Sequence, residues 1–288
     1  MKRRDFLKTI TTGVALATVS AGSVQDVHAL TFSSRLRFSS PKFPSHDLES
    51  YLKKVRQFDE DHFGDIYLNS KQYRTLSRLV KRLNRLQKLI GFGNFFLLDF
   101  DDAIKFARLH KSVGLFTSSE LDFLEMIFYS RASDYGFYGE KPLKNLTDRI
   151  PRRKVVKIRN TGNYLYKGRP LETHHKIKKE LGDELELTSG VRSVTKQIKL
   201  FLNKVHKSNG NLSRASRSLA PPGYSFHGIS DFDVGQMGYG QFNFTEKFVT
   251  SHVFKRLKSL GYLTLRYPSD NMLGVRFEPW HIKVNNRA

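Results

Sequence analysis

GYSFHGISDFDVGQ, residues 223–236, gathers a serine, a histidine and two aspartates in a glycine-punctuated run too short and too broken for a helix. The chain has no cysteine, which excludes disulfides, thiolate nucleophiles and thiolate metal sites. Any metal must therefore sit on His, Asp or Glu. A catalytic zinc needs three such ligands and one position open to water. His227 and a nearby aspartate offer two of them, and Glu278-Pro279-Trp280-His281 offers further candidates near the C-terminus. Pro279 disturbs strand alternation, which lets Glu278 and His281 face one side although they are three apart.

The N-terminus reads as a separate segment. A basic start precedes an apolar, small-residue run from Ile10 to about Val24, and Val27-His28-Ala29 resembles a cleavage site. Arg3-Arg4 followed by Asp5-Phe6-Leu7-Lys8 resembles a twin-arginine signal, which implies export to the periplasm or cell envelope of an already folded protein. The apolar run is shorter than a membrane span and rich in Thr, Gly and Ser. The mature chain, from about Leu30, is expected to be a soluble monomer of about 260 residues.

The formal net charge is +22, and residues 1–29 hold four cations against two carboxylates, so about +20 remains after cleavage. Such a surface attracts polyanions. Outside the cytoplasm these are anionic envelope polymers and membrane headgroups, so no nucleic-acid partner is expected.

Residues 30–45 are serine-rich, proline-punctuated and without period, as expected of a linker. Between Lys71 and Ile90, Leu76, Leu79, Val80, Leu83, Leu86 and Ile90 keep helical spacing, while Arg74, Arg78, Lys81, Arg82, Arg85 and Lys88 fill the other face. This basic amphipathic helix either packs on a core or lies on an anionic surface, and the first reading is preferred. Asp99 to Asp102 and the box Thr117-Ser118-Ser119-Glu120 read as helix starts. Residues 46–150 are accordingly expected to form a helical accessory or wall-docking domain.

From Gly136 the composition shifts to Gly, Pro and Lys, and short β-like runs follow at Lys154 to Ile158, Asn163 to Tyr166 and Leu185 to Thr188. Helices are expected over Pro170 to Leu181, Ser193 to His206 and Thr245 to Leu260. Tyr262 to Tyr267 and Val275 to Val284 read as a closing hairpin. Together these make residues 151–288 an α+β domain.

Four segments in order carry a family resemblance: Ser189-Gly190-Val191-Arg192-Ser193 with Gln197, Ala220-Pro221-Pro222-Gly223-Tyr224, Ser225-x-His227 with Asp-Val-Gly, and Glu278-x-Trp280-His281. This set resembles the VanY-like D-alanyl-D-alanine carboxypeptidases, zinc peptidases of the LAS group with a small, mainly antiparallel sheet and flanking helices. The resemblance implies Zn2+ on His227, His281 and an aspartate, Glu278 as catalytic base and Arg192 beside the developing oxyanion. It also implies substrate contacts at Ser225, Gln197 and Ser193. The family spaces its histidine and aspartate seven apart, whereas Asp233 lies six and Asp231 four from His227. The Asp-Val-Gly match favours Asp233 as the ligand, with Asp231 the alternative. On a strand both would face the same way.

The other histidines read as structural. His174 and His175, adjacent on a lysine-rich helix, are expected in solvent, and His252 is expected on a packed inner face. Asn211 to Arg217 is expected to line the cleft and offer cations to a terminal carboxylate. The implied activity is hydrolysis of the terminal D-Ala-D-Ala bond of peptidoglycan stem peptides. L,D-carboxypeptidase or D,D-endopeptidase action uses the same residues, and a non-catalytic envelope-binding protein with a degenerate metal site is the alternative of another class.

Overall fold

The computed structural model describes residues 45–284. The expected signal segment, residues 1–29, and all but the last residue of the expected linker lie outside them. The first half of the described chain is helical: α1 (Ser45–Arg56), α2 (Ser70–Ile90), α3 (Phe100–Leu109) and α4 (Ser118–Tyr129). Each of the last three has a side-chain cap that satisfies an otherwise orphaned N–H: Asn69, Asp99 and Thr117 accept from the backbone three residues on. Thr117 and Glu120 cap each other reciprocally.

The second half adds a two-stranded antiparallel sheet, β1 (Val155–Lys157) with β2 (Tyr164–Tyr166). A three-stranded antiparallel sheet follows, in the order β3 (Leu185–Ser189), β4 (Phe232–Gln236), β5 (His281–Ile282). The helices here are α5 (Arg169–Leu181), α6 (Val194–Lys207), α7 (Leu212–Ser218) and α8 (His252–Ser259). The fold is α+β, and among the described residues no helix is long and apolar enough to cross a membrane.

Packing is continuous across residue 150, where the composition shift suggests a domain boundary. The larger apolar cluster joins Leu76, Leu79, Leu83 and Leu86 of α2, Phe123 and Phe128 of α4, and Val194, Ile198, Phe201 and Leu202 of α6. The apolar stripe of α2 thus faces a core. Arg82, expected on its basic face, turns inward to the buried Glu120 at 3.1 Å, while its neighbours Arg78, Lys81 and Arg85 stay exposed.

A second cluster fills one face of the three-stranded sheet. Leu185, Leu187, Phe232, Val234 and Ile282 pack there against Ile177 and Leu181 of α5 and Val253 and Leu257 of α8. Because side chains alternate along a strand, burying Phe232 and Val234 on that face sends Asp233 to the other, and burying Ile282 does the same for His281. The register pairs Asp233 directly with His281.

Several expectations change in three dimensions. The return segment Val275 to Val284 pairs chiefly with β4, and its contact with Tyr262 to Tyr267 reduces to an isolated bridge, Leu265 to Ile282, and a few backbone bonds. The helix expected over Thr245 to Leu260 is broken, because Ser251 is extended and caps α8 by accepting from Phe254 N–H. His174 is buried with its ring edge-on to Phe232, while His175 is exposed. His252 is exposed and meets Glu184 at 2.6 Å. Arg214 and Arg217 of α7 turn from the cleft toward the segment before α2: Arg217 pairs with Asp65 at 2.8 Å and donates to the Glu60 carbonyl, and Arg214 reaches Asp61.

Candidate metal centre

Three chain segments meet on the open face of the sheet. His227 follows Ser225 in a single 3-10 turn, Asp233 stands in mid β4, and His281 opens β5 after the Pro279-Trp280 turn. One ligand atom from each lies within 4.8 Å of the others, and all three residues are buried. Asp233 Oδ1 is 3.2 Å from His227 Nε2 and 3.4 Å from His281 Nδ1. These approaches lack hydrogen-bond geometry: His227 Nε2 and Asp233 Oδ1 are buried without a hydrogen-bond partner. Buried polar atoms left unmatched cost free energy, so their convergence fits a shared cation.

Every other polar atom of the three is occupied. The Gly190 carbonyl accepts from His227 Nδ1 at 2.7 Å, which leaves the Nε2 lone pair facing inward. Asp231 Oδ2 accepts from His281 Nε2 at 3.1 Å, leaving Nδ1 inward. Asp233 Oδ2 accepts from Arg192 at 2.6 Å, and Arg192 Nε donates to Ser189. Asp231 is itself fixed by Arg266 at 2.8 Å and by the Val284 N–H at 3.0 Å. Outer partners of this kind set ring orientation and ligand basicity. Of the two aspartates, Asp233 therefore faces the histidine pair, and Asp231 orients His281 from behind.

Gly190 is required where it stands: a Cβ there would lie 2.0 Å from the Tyr164 carbonyl oxygen. That carbonyl accepts from Val191 N–H and sets the 190–192 corner against β2, placing both the Gly190 carbonyl and Arg192. The next residue, Ser193, caps α6 through its hydroxyl and is almost fully buried. It does not line the cavity described below, so the expected substrate contact gives way to a structural cap.

The electrostatics suit a cation. Burial and neighbouring Arg192 lower the His227 pKa, keeping its lone pair available. Burial would raise the Asp233 carboxyl, but His227 and Arg192 outweigh it and hold Asp233 well below the usual range. Burial likewise opposes charge on His281, yet hydrogen bonds to Asp231 and Glu278 raise it to about 9. The carboxylates around Nδ1 thus favour positive charge at that point, and the donor set of two imidazoles and a carboxylate with one side open suits zinc.

A cavity of about 120 Å³ opens on this set and is also lined by Arg192, Gln197, Ser225 and Glu278. Glu278 Oε2 is 3.3 Å from His281 Nδ1, as the Pro279 turn requires. Gln197 donates to the Ala220 carbonyl, and its Oε1 is buried without a partner. Tyr267, Arg276 and Phe244 complete the wall and were not foreseen from sequence. Their loops have no hydrophobic period to place them, although Arg276 shares alternation with Glu278. A larger cavity of about 350 Å³, between α1 and the turn at 133–138, contains none of the metal set.

Comparison with known proteins finds a family model that matches these residues. Residues 170–286 match the family model VanY, D-alanyl-D-alanine carboxypeptidase. No curated protein matches the chain. Among solved structures, the LdcB LD-carboxypeptidase is 28% identical, with a TM-score of 0.35, over 45% of this chain and 62% of its own. VanYB in complex with D-alanine-D-alanine is 25% identical, with a TM-score of 0.37, over 49% of this chain and 84% of its own. The vancomycin-resistance D,D-pentapeptidase VanY, in complex with Zn(II), is 24% identical, with a TM-score of 0.36, over 47% and 82%. The segment from α5 to β5 that matches the VanY family model holds all three candidate ligands together with Arg192 and Glu278.

Proposed function

We propose that this chain is an exported, zinc-dependent D,D-carboxypeptidase that removes the terminal D-alanine from peptidoglycan stem peptides. The observation that carries the reading is the convergence of His227 Nε2, Asp233 Oδ1 and His281 Nδ1 beside the Glu278 carboxylate, inside the segment that matches the family. These three residues would hold the zinc. When bound, it supplies Lewis-acid polarisation of the scissile carbonyl and acidifies water.

The chain's own groups do the remaining work. Glu278, at the cavity wall, takes a proton from the attacking water and returns it to the leaving amine. Arg192, fixed by Ser189 and Asp233, places positive charge beside the carbonyl oxygen as it gains charge. Ser225 and the unpaired Oε1 of Gln197 offer hydrogen bonds to the peptide backbone. Export through the twin-arginine route is part of the proposal, supported by Arg3-Arg4 and the apolar run behind them. The exposed cations of α2 would hold the protein near anionic envelope polymers.

The test is release of D-alanine from a muropeptide pentapeptide by the purified chain, with and without chelator. Chelator-sensitive release of one D-alanine per stem is expected. Cleavage only of tetrapeptides or of crosslinks would reassign the bond, and no cleavage of any would overturn the peptidase reading.

A further inference from the structure

Four largely buried arginines of this chain share a habit. Arg82, Arg192, Arg217 and Arg266 each meet a buried carboxylate, at 3.1, 2.6, 2.8 and 2.8 Å. Arg276 differs. Its guanidinium carbon sits 4.6 Å from the Phe58 ring centre and 4.8 Å from the Trp280 ring centre, held between two aromatic side chains. Its Nε is buried with no hydrogen-bond partner, and Glu278, Asp59, Glu246 and Asp233 act on it only through space. Aromatic neighbours stabilise a cation but do not replace its hydrogen bonds.

Position gives that cation a use. Arg276 and Glu278 lie two apart on an extended stretch and line the same cavity, together with Ser218 and Ser225. The stretch is fixed at both ends: Arg276 N–H donates to the Arg217 carbonyl and Glu278 N–H to the Tyr267 carbonyl. Arg217 is in turn anchored to Asp65 and to the Phe58 and Glu60 carbonyls. An immobilised, partly desolvated guanidinium on the cavity wall, with carboxylates nearby but none in ion-pair contact, is a site for an anion.

We propose that Arg276 is the specificity-determining residue that receives the free C-terminal carboxylate of the substrate peptide, so that this site acts on chain ends rather than on internal bonds. The inference rests on the peptidase reading above and deepens it. The small cavity agrees, since a short group beyond the cut bond fills it.

The experiment compares one pentapeptide ending in D-Ala-D-Ala as the free acid with the same peptide as its C-terminal amide. Binding is measured by calorimetry on the zinc-loaded Glu278→Gln chain, which does not turn over, and steady-state kinetics on the otherwise unaltered chain. Free acid is expected to bind at least about thirtyfold more tightly than amide. Arg276→Met, which keeps the stem between the two rings, should abolish that preference by raising KM for the acid with little change in kcat. Arg276→Lys should restore part of it, which shows that the fold survives substitution.

A preference that persists in Arg276→Met, or none in the parent, overturns the inference while cleavage of either peptide leaves the peptidase reading intact. If neither peptide binds nor is cut, both fall together.

Discussion

Asp231 accepts from His281 Nε2 at 3.1 Å on the side of the ring away from Asp233, which approaches Nδ1 at 3.4 Å. Two aspartates two residues apart thus serve one histidine differently. Asp231→Asn should weaken zinc affinity by about 10–100-fold while the site still loads at high zinc. Asp233→Ala removes a ligand and should lose zinc altogether. Competition against a chelator of known affinity separates the two, and equal losses would contradict the assignment.

Glu278 lines the cavity and lies within 3.3 Å of His281 Nδ1, yet it stands outside the three-residue metal set. Glu278→Gln should lower kcat by about 10²–10⁴-fold with zinc content and melting temperature unchanged. Full activity in that variant would assign the base elsewhere.

His174 gives the fold an acid-sensitive point, edge-on to Phe232 of β4. Burial, with His175 and Lys178 nearby, lowers its pKa to about 4, and its Nδ1 is buried without a partner. A histidine that must stay neutral contributes stability above its unfolded pKa of about 6.5, and that stability is lost as pH falls toward 4. Between pH 6.5 and 4 the loss approaches about 1.4 kcal/mol per pH unit from this group. His174→Leu should narrow the stability gap between pH 7 and pH 5 in denaturant titrations. An unchanged gap would remove His174 as its source.

Arg217 and Asp65 form an ion pair with side chains 6% and 2% exposed, and they tie the segment before α2 to α7. Breaking one partner leaves the other charge buried, so Asp65→Ala should cost about 3–5 kcal/mol in urea unfolding. The double variant with Arg217→Met should recover part of that loss. Simple additivity of the two changes would mean that the pair is not coupled.

Local features of the fold were legible in the sequence because they depend on neighbours in the chain. The caps at Asp99 and Thr117, the stripe of α2 and the three short strands 155–157, 164–166 and 185–189 all stand where period and turn chemistry put them. The convergence of His227, Asp233 and His281 was legible for a different reason: residue types with few other uses occurred in a familiar order. What failed depended on long-range choices. The last segment has β-like composition on both of its arms, and only packing decides that its return arm joins β4. His174 and His252 exchanged their expected environments: Phe232 packs on the side of α5 that carries His174, and the break at Ser251 leaves His252 exposed at the start of α8. Arg276 stayed hidden because its meaning comes from Phe58, which no local pattern links to it.

The most direct measurement is elemental analysis of zinc in the purified chain and in single-ligand variants. One zinc per chain, retained in Glu278→Gln and lost in His227→Ala and His281→Ala, is the predicted result. A chain that carries no zinc after exposure to it, or that keeps it in both histidine variants, would contradict the account.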